Sequence, residues 1–289
     1  MAKWNLVNSL KGRERNFSLF SLKDNVEVLG RVQRKVGDVS IDIFCGSVEE
    51  YVKLLDDNSI HLVVTSPPYN CGIKYDVYDD NKDFVEYKKW LTHIFSLLKP
   101  KLASGGKVAV NFPKIVRING RRKILLSAFE EILESAGFEI IDCIVWVKAR
   151  DEKEAVGVAG RSTGWGSWMS PSAPYVRPIS EFVLIAKKEG RRVIKSKGDM
   201  TKEEFLTATT STWFIPSKSD SSHPAVFPPE LPERLIKLYT AVEENVLDPF
   251  MGVGNTMLAC LRTRRNFFGS EISPNYVARA LEKLDRFGV

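Results

Sequence analysis

The chain has 289 residues, 44% of them apolar and 27% charged, and its 42 Lys and Arg against 36 Asp and Glu leave a net charge of +6. A chain of this size buries its own core; it has no apolar run near the roughly 18 residues of a membrane span and no apolar leader, which predicts a cytoplasmic protein without a membrane partner. The four cysteines (Cys45, Cys71, Cys143, Cys260) form no CxxC pair and the three histidines are scattered, so no metal centre or disulfide framework is expected, while the positive charge favours a polyanionic partner.

Residues 1–38 carry eight Lys and Arg against four Asp and Glu, which predicts an N-terminal arm, irregular or in short strands. Order begins at the alternating run Val39 to Cys45, a strand ending at Gly46-Ser47. A helix is expected over 48–56, with Ser47 as its cap and Glu49 and Glu50 in the first turn, where the helix dipole favours acids. The apolar run 60–65 reads as a buried strand. It leads into Thr65-Ser66-Pro67-Pro68-Tyr69-Asn70, where two prolines stop any ladder or helix and stiffen the backbone. A hydroxyl before this turn and an aromatic ring closing it suit a planar, amino-bearing ligand, although a plain loop after a strand would read the same.

Phe84 to Leu98 has helical periodicity and 107–112 is a third strand. Pro113 to Gly120 reads as a connection, followed by a helix over 121–136 and a strand over 138–148. Strands alternating with helices predict a parallel sheet covered on both faces. Ligands of such sheets sit beyond the carboxyl ends of the strands, where Gly46-Ser47, Ser66 to Asn70 and Asn111 to Lys114 converge.

Residues 149–222 break the alternation. Ala149 to Arg177 is rich in Gly, Ser, Trp and Pro, and one strand follows near 179–187. Arg interleaved with aromatics suits a nucleic-acid reader, while a solvated loop held down by its tryptophans is the alternative. His223-Pro224-Ala225-Val226-Phe227-Pro228 precedes a helix over 229–241. The strand ending at Asp248 then runs into Pro249-Phe250-Met251-Gly252-Val253-Gly254-Asn255-Thr256. Gly252 and Gly254 allow close backbone approach, and the helix that follows presents free N–H groups. Glu271, at the end of the next strand, stands where a carboxylate accepts ribose hydroxyls. Only 41 residues (249–289) follow Asp248, too few for a second mononucleotide half, so a single adenosine-type cofactor fits better than a dinucleotide. Asp248 would repel a pyrophosphate and attract a cationic group. A final helix is expected from Pro274 to Arg286.

Three of these stretches, in this order, resemble the amino-DNA methyltransferases of restriction–modification systems in their circularly permuted β-class. Thr65-Ser66-Pro67-Pro68-Tyr69 is similar to the catalytic motif (D/N/S)PP(Y/F/W), His223 to Pro228 to the HPAxFP element, and Asp248 to Thr256 to the cofactor motif DPFxGxGxT. The resemblance covers about 39–289. It implies a class I methyltransferase fold: α/β, with a Rossmann-like, mostly parallel, permuted sheet of seven strands and an inserted target-recognition region. The catalytic half would be 39–148, the insertion 149–222 and the cofactor half 223–289.

The resemblance implies S-adenosyl-L-methionine as cofactor and double-stranded DNA as partner. A separately acting restriction endonuclease and a homodimer are compatible with it. Ser66, Pro67, Pro68 and Tyr69 would form the catalytic turn, with Ser66 and the Pro67 carbonyl accepting from the target amino group and Tyr69 stacking on the flipped base. Thr65, Asp248, Phe250, Gly252, Gly254, Asn255, Thr256, Glu271, His223, Pro224, Phe227, Gly46 and Ser47 would surround the cofactor. Lys114, Arg117, Arg121 and Arg122 are expected on DNA phosphates, and Arg161, Trp165, Trp168 and Arg177 on bases. Two positions depart from the pattern: Gly46-Ser47 stands where the family often has Gly-Asp, and His61 where it often has Asp.

Ser at the first catalytic position is commoner among cytosine-N4 enzymes of this family. The expectation is therefore a cytosine-N4 methyltransferase, with adenine N6 as the alternative. RNA and protein methyltransferases with Asn-Pro-Pro-Tyr turns have the reverse motif order, and intact motifs argue against a non-catalytic DNA-binding relative.

Overall fold

The computed structural model describes residues 30–118, 120–161, 166–192, 194, 198–217 and 227–287, with 158–161 by their backbone alone. Expectations that fall on Trp165, His223 and Pro224, and on the side chain of Arg161, lie outside the described residues.

The β-branched runs form strands as their patterns require. In chain order they are β1 (Gly30–Val36), β2 (Val39–Cys45), β3 (Ile60–Thr65), β4 (Leu102–Pro113), β7 (Glu139–Val147), β8 (Ser180–Lys187), β9 (Thr212–Phe214), β10 (Asn245–Asp248) and β11 (Asn266–Glu271). All nine join one sheet in the order β1-β2-β11-β10-β3-β4-β8-β7-β9. The seven strands from β2 to β7 in that order are the expected class I core, parallel except at β8. The other two are additions at the edges. β1 pairs antiparallel with β2, held by Asp42, whose buried carboxylate accepts from Arg31 at 2.9 Å and Gln33 at 2.8 Å. The last residues of the predicted arm therefore belong to the sheet. β9 pairs with β7, burying Trp213 and Ile215 against the core, so much of 149–222 is structural.

Alternation along β3 feeds two cores. Val63 packs with Val108, Val110 and Phe112 under the helices α2 (Phe84–Leu98) and α3 (Leu126–Ser135). Leu62 and Val64 pack on the opposite face under α6 (Glu230–Tyr239), α7 (Asn255–Thr263) and α8 (Pro274–Phe287). Two-sided burial of this kind is what fixes register in a parallel sheet.

Three predicted elements are corrected. The helix expected over 48–56 is a single turn, α1 (Val48–Tyr51), followed by a 3-10 turn; Ser47 caps it as expected, its hydroxyl accepting from the Glu50 amide at 3.3 Å. The helix expected over 121–136 begins only at Leu126. Before it, β5 (Ile115–Ile118) and β6 (Arg121–Ile124) form a separate hairpin. Asn119-Gly120 is a strong hairpin-turn signal and Ile115, Val116 and Ile118 favour strands, which outweighs the helical periodicity of the following residues. Finally, part of the expected Ala149–Arg177 loop is the helix α4 (Glu152–Arg161), which Asp151 caps through the Glu154 amide at 2.8 Å. A further helix, α5 (Lys202–Ala208), opens with a capping box of Thr201 and Glu204.

Candidate active site

The strands β10 and β3 are neighbours, and the chain winds outward from them in opposite directions, so their carboxyl ends flank the switch point of the sheet. Asp248 closes β10 and Ser66 follows β3. Asp248 is buried and binds across the gap: one carboxylate oxygen accepts from Thr65 Oγ1 at 2.9 Å and the Phe250 amide at 3.1 Å, the other from Thr256 Oγ1 at 2.6 Å. Burial pushes its carboxyl up to about 6, with the two threonine hydroxyls and the amide pulling the other way. Asp248 therefore ties the end of β3 to the start of α7. Its oxygens are engaged inside the protein, where a direct cofactor contact was expected.

The Pro-Pro turn is pinned from behind. Tyr87 of α2 donates to the Pro68 carbonyl at 2.7 Å. Asn70 adopts φ 54°, the left-handed region that Asn tolerates. Its side-chain amide donates to the Lys82 carbonyl at 2.8 Å and accepts from the Lys82 amide at 2.7 Å. The buried Asp80 carboxylate accepts from the amides of Asn70 (2.7 Å), Cys71 (3.0 Å) and Ile73 (3.1 Å). In front, the Ser66 hydroxyl meets the Tyr69 hydroxyl. Burial first, then the charge of Glu181, lifts Tyr69 well above the usual phenol range, so it stays a neutral hydroxyl. Among the described residues no hydrogen bond uses the Pro67 carbonyl. Tyr69 is only 7% exposed, so its ring is packed in the turn rather than laid open.

Beside this turn lies a cavity of about 300 Å³, within the range of small-molecule sites. Gly46, Ser47, Ser66, Pro68, Phe227, Asp248, Phe250, Gly252, Asn255 and Glu271 line it, as expected of them. Thr65, Thr256 and Gly254 do not reach the lining. Gly254 instead caps α7 at φ 81°, where an added Cβ would meet Ala280 Cβ at 3.0 Å; it is a packing glycine between α7 and α8. Gly252 does approach the cavity, and its amide donates to Glu271 Oε2 at 3.0 Å while the Ser273 amide donates to Oε1 at 2.8 Å. Burial raises the Glu271 carboxyl to about 7 despite those amides. Asn255 joins the halves by donating to the Phe227 carbonyl at 2.8 Å.

The other wall was not foreseen. Tyr75, Asp76, Val77 and Tyr78, from the loop that Asp80 pins, cover the cavity together with Trp90 and Tyr276. Asp76 latches this loop to the start of α8, accepting from Asn275 Nδ2 at 2.9 Å and from the Ser273 hydroxyl. The Trp90 ring lies edge-on to Phe250, 5.7 Å between centroids, and its Nε1 donates to Glu49 at 3.2 Å. Tyr78 Oη is buried with no partner. The signal was present in the aromatic spacing of Tyr75 and Tyr78 after the turn, but only the fold brings them over Phe250.

The two family departures are explained locally. Ser47 is a helix cap. His61 Nδ1 accepts the Asn245 amide at 3.1 Å, and burial with the charge of Arg192 lowers it to about 4, so it is a neutral strand residue.

The lining carries four carboxylates (Glu49, Asp76, Asp248, Glu271) against one lysine, Lys82. An anionic dinucleotide would be repelled there. A ligand with a sulfonium, an ammonium, ribose hydroxyls and a flat ring matches the charges, the Glu271 acceptor and the aromatic walls. Strand order, switch-point cavity and Pro-Pro turn define a class I methyltransferase.

A family model described as DNA methylase, for N6 and N4 methyltransferases, matches residues 60–282. The type II methyltransferase M.MjaVI of Methanocaldococcus jannaschii is 35% identical over 170 residues, spanning 57% of this chain and 81% of the relative. M.BglI of Bacillus subtilis is 26% identical, spanning 84% and 85%. Among solved structures, a DNA modification methylase of Thermus thermophilus, TTHA0409, complexed with S-adenosyl-L-methionine, aligns with a TM-score of 0.64 at 24% identity over 84% of this chain and 92% of its own. PvuII DNA methyltransferase, described as cytosine-N4-specific, aligns with a TM-score of 0.63 at 21% identity over 86% and 91%. The chain belongs to the N6/N4 DNA methylase family: it is an amino-DNA methyltransferase of restriction–modification type, with DNA as substrate and S-adenosylmethionine as methyl donor.

Proposed function

We propose that this protein methylates the N4 amino group of cytosine at one short sequence in duplex DNA. The observation that carries the proposal is Ser66, a neutral hydroxyl beside the Pro67 carbonyl at the mouth of the cofactor cavity. The cytosine-N4 specificity of the PvuII enzyme favours the same base.

Bound S-adenosylmethionine supplies an electrophilic methyl group. The chain's own part is to hold the acceptor. An exocyclic base amine is a poor nucleophile because its lone pair is delocalised into the ring. Ser66 Oγ and the Pro67 carbonyl accept from its two N–H bonds, which favours a pyramidal nitrogen with its lone pair directed at the cavity. Positioning and electrostatics of this kind supply much of a rate enhancement without a strong base. Tyr69 donates to Ser66 and fixes its rotamer. The proton leaves after transfer, from a far more acidic ammonium. Glu271 accepts the ribose hydroxyls, the four carboxylates attract the cationic donor, and Phe250, Trp90 and Tyr276 bury its flat parts. Lys114, Arg117, Arg121 and Arg122 contact phosphates, which fix register without reading sequence. The type II naming of the relatives fits a separately encoded endonuclease that cuts the same sequence.

The test is incubation with labelled S-adenosylmethionine on DNA, RNA and protein, followed by nucleoside mass spectrometry. N4-methylcytosine in DNA alone is expected. N6-methyladenine would overturn the base assignment, and label confined to RNA or protein would overturn the reading altogether.

A further inference from the structure

The connection between α4 and β8 closes into a small loop. Gly166 pairs with Pro174 across an antiparallel bridge, and the Ser167 amide donates to the Ala173 carbonyl at 2.9 Å. The Ser167 hydroxyl donates to the Ser170 carbonyl at 2.8 Å and accepts from the Ala173 amide at 2.9 Å. Only glycine fits at the base, since a Cβ on Gly166 would lie 2.2 Å from the Ala173 carbonyl oxygen. The apex of this closed loop is apolar: Trp168 is 64% exposed and Met169 89% exposed. Met169 is also held at φ 51°, a left-handed backbone that a long side chain rarely adopts.

A single exposed hydrophobic residue needs no explanation. Two at the apex of a loop laced by its own serine hydrogen bonds, pointing nothing polar outward, do. Their surroundings say what they meet. The Arg122 guanidinium lies 4.6 Å from the Tyr175 ring, so the loop rests on the β5–β6 hairpin. Residues 113–124 and 166–179 together hold Lys114, Arg117, Arg121, Arg122, Lys123 and Arg177, and no acid. A second copy presenting this face would be repelled, whereas a nucleic acid supplies phosphates for the hairpin and a base stack for the apex. The position is also right. Glu181, just beyond the loop, lies opposite Pro113, and Val110 lies opposite Thr65, so loop, hairpin and Ser66 share one sheet edge.

We propose that Trp168 and Met169 form an apolar wedge that enters the base stack at the target step and replaces the stacking lost when the target base swings out to Ser66. The inference rests on the DNA methyltransferase reading and deepens it. Apolar side chains inserted at a base step offset the cost of unstacking, and extrusion is easiest for a base that is already unpaired.

The test uses the full chain and the double variant Trp168→Ala with Met169→Ala, on duplexes bearing the methylation site found by sequencing. Each duplex is made in two forms, with the target base paired or opposite an abasic position, and with 2-aminopurine beside the target. On the paired duplex the variant should methylate roughly ten- to a hundredfold more slowly and lose the fluorescence rise that reports unstacking. On the abasic duplex it should recover to within about twofold of wild type. Its affinity for S-adenosylmethionine, measured by calorimetry, should be unchanged, which shows that it is folded. Equal rates on the paired duplex would overturn the wedge, as would equal impairment on both duplexes. A dimer in wild type that becomes monomeric in the variant would overturn it too, assigning the apex to self-association. A wild-type protein that methylates no DNA would instead sink the parent reading.

Discussion

Two connections leave the sheet on either side of β4, and they are built in opposite ways. The loop after β3, from Ser66 to Lys82, turns its polar groups inward: a buried Asp80 takes three amides, Asn70 pairs with the Lys82 backbone, and Tyr87 holds Pro68. The hairpin after β4 turns its charges outward, with Arg121, Arg122, Lys123 and Ile124 all exposed. A site that must hold an amine against a methyl group needs fixed acceptors. A surface that must track a polyanion needs cations that remain hydrated until they meet it. The difference teaches that catalysis and DNA affinity can be broken separately.

The largest effect is expected on the pinned side. Ser66→Ala should lower the methyl transfer rate by about 10²-fold or more, the scale of one lost positioned contact, while affinity for S-adenosylmethionine is unchanged. Single-turnover kinetics and calorimetry on one preparation separate the two; a near wild-type rate would remove Ser66 from the chemistry.

Asp80→Ala sharpens the comparison, because Asp80 touches no reacting atom. Three amides lose their acceptor, which should cost about 1–3 kcal/mol of stability. It should also lower kcat at saturating cofactor and DNA by about tenfold, since small misplacements at a reacting centre are costly. Denaturant unfolding and kcat are read together: a stability loss with unchanged kcat would make Asp80 merely structural.

Glu271 gives an effect with a sign. Burial lifts it from 4.5 to about 7 and Asp248 from 3.8 to about 6. A carboxyl with a raised folded value keeps a proton that the unfolded chain has lost. The ligand-free protein should therefore lose stability as pH rises from about 4 to about 7, with no contribution from these groups below that window. Ribose hydroxyls and a cationic ligand favour the carboxylate, so binding near pH 7 should release about half a proton from Glu271. Calorimetry in buffers of different ionisation enthalpy measures the release. Glu271→Gln should abolish it and weaken binding by about 1–3 kcal/mol; proton uptake would place the ribose elsewhere.

The smallest effect per residue belongs to the outward face. Arg121→Ala with Arg122→Ala should weaken binding to cognate and scrambled duplexes alike and flatten the salt slope by up to about two units. Methyl transfer at saturating DNA should be unchanged. A salt-titration series that leaves the slope intact would place the phosphates elsewhere.

Most of the pinned side could be read from residues alone because its signals are local. Two prolines after a β-branched strand, and glycines between a strand and a helix, dictate backbone geometry within a few positions. Asp80, Asp76 and Tyr78 escaped because their partners come from elsewhere: an acid ten residues from the turn becomes its anchor only when the loop folds back, and Asp76 finds Asn275 across the whole chain. Gly254 was misplaced for the opposite reason, since a positive φ looks the same whether it serves a ligand or Ala280. The hairpin was hidden by the amphipathic helix behind it, whose period extends plausibly backward over Arg121 to Leu125. Edge strands β1 and β9 carry no pattern that separates them from connecting chain, and only their pairing makes them sheet.

The central claim, that the Pro-Pro turn and the adjoining cavity form one active site for an amino group in DNA, is tested most directly in cells. DNA from cells expressing the wild-type protein and the Ser66→Ala variant is sequenced with detection of modified bases at single-base resolution. The account predicts N4-methylcytosine at one short sequence with wild type and none with the variant. Unmodified DNA from wild-type cells, or equal modification with Ser66→Ala, would contradict it.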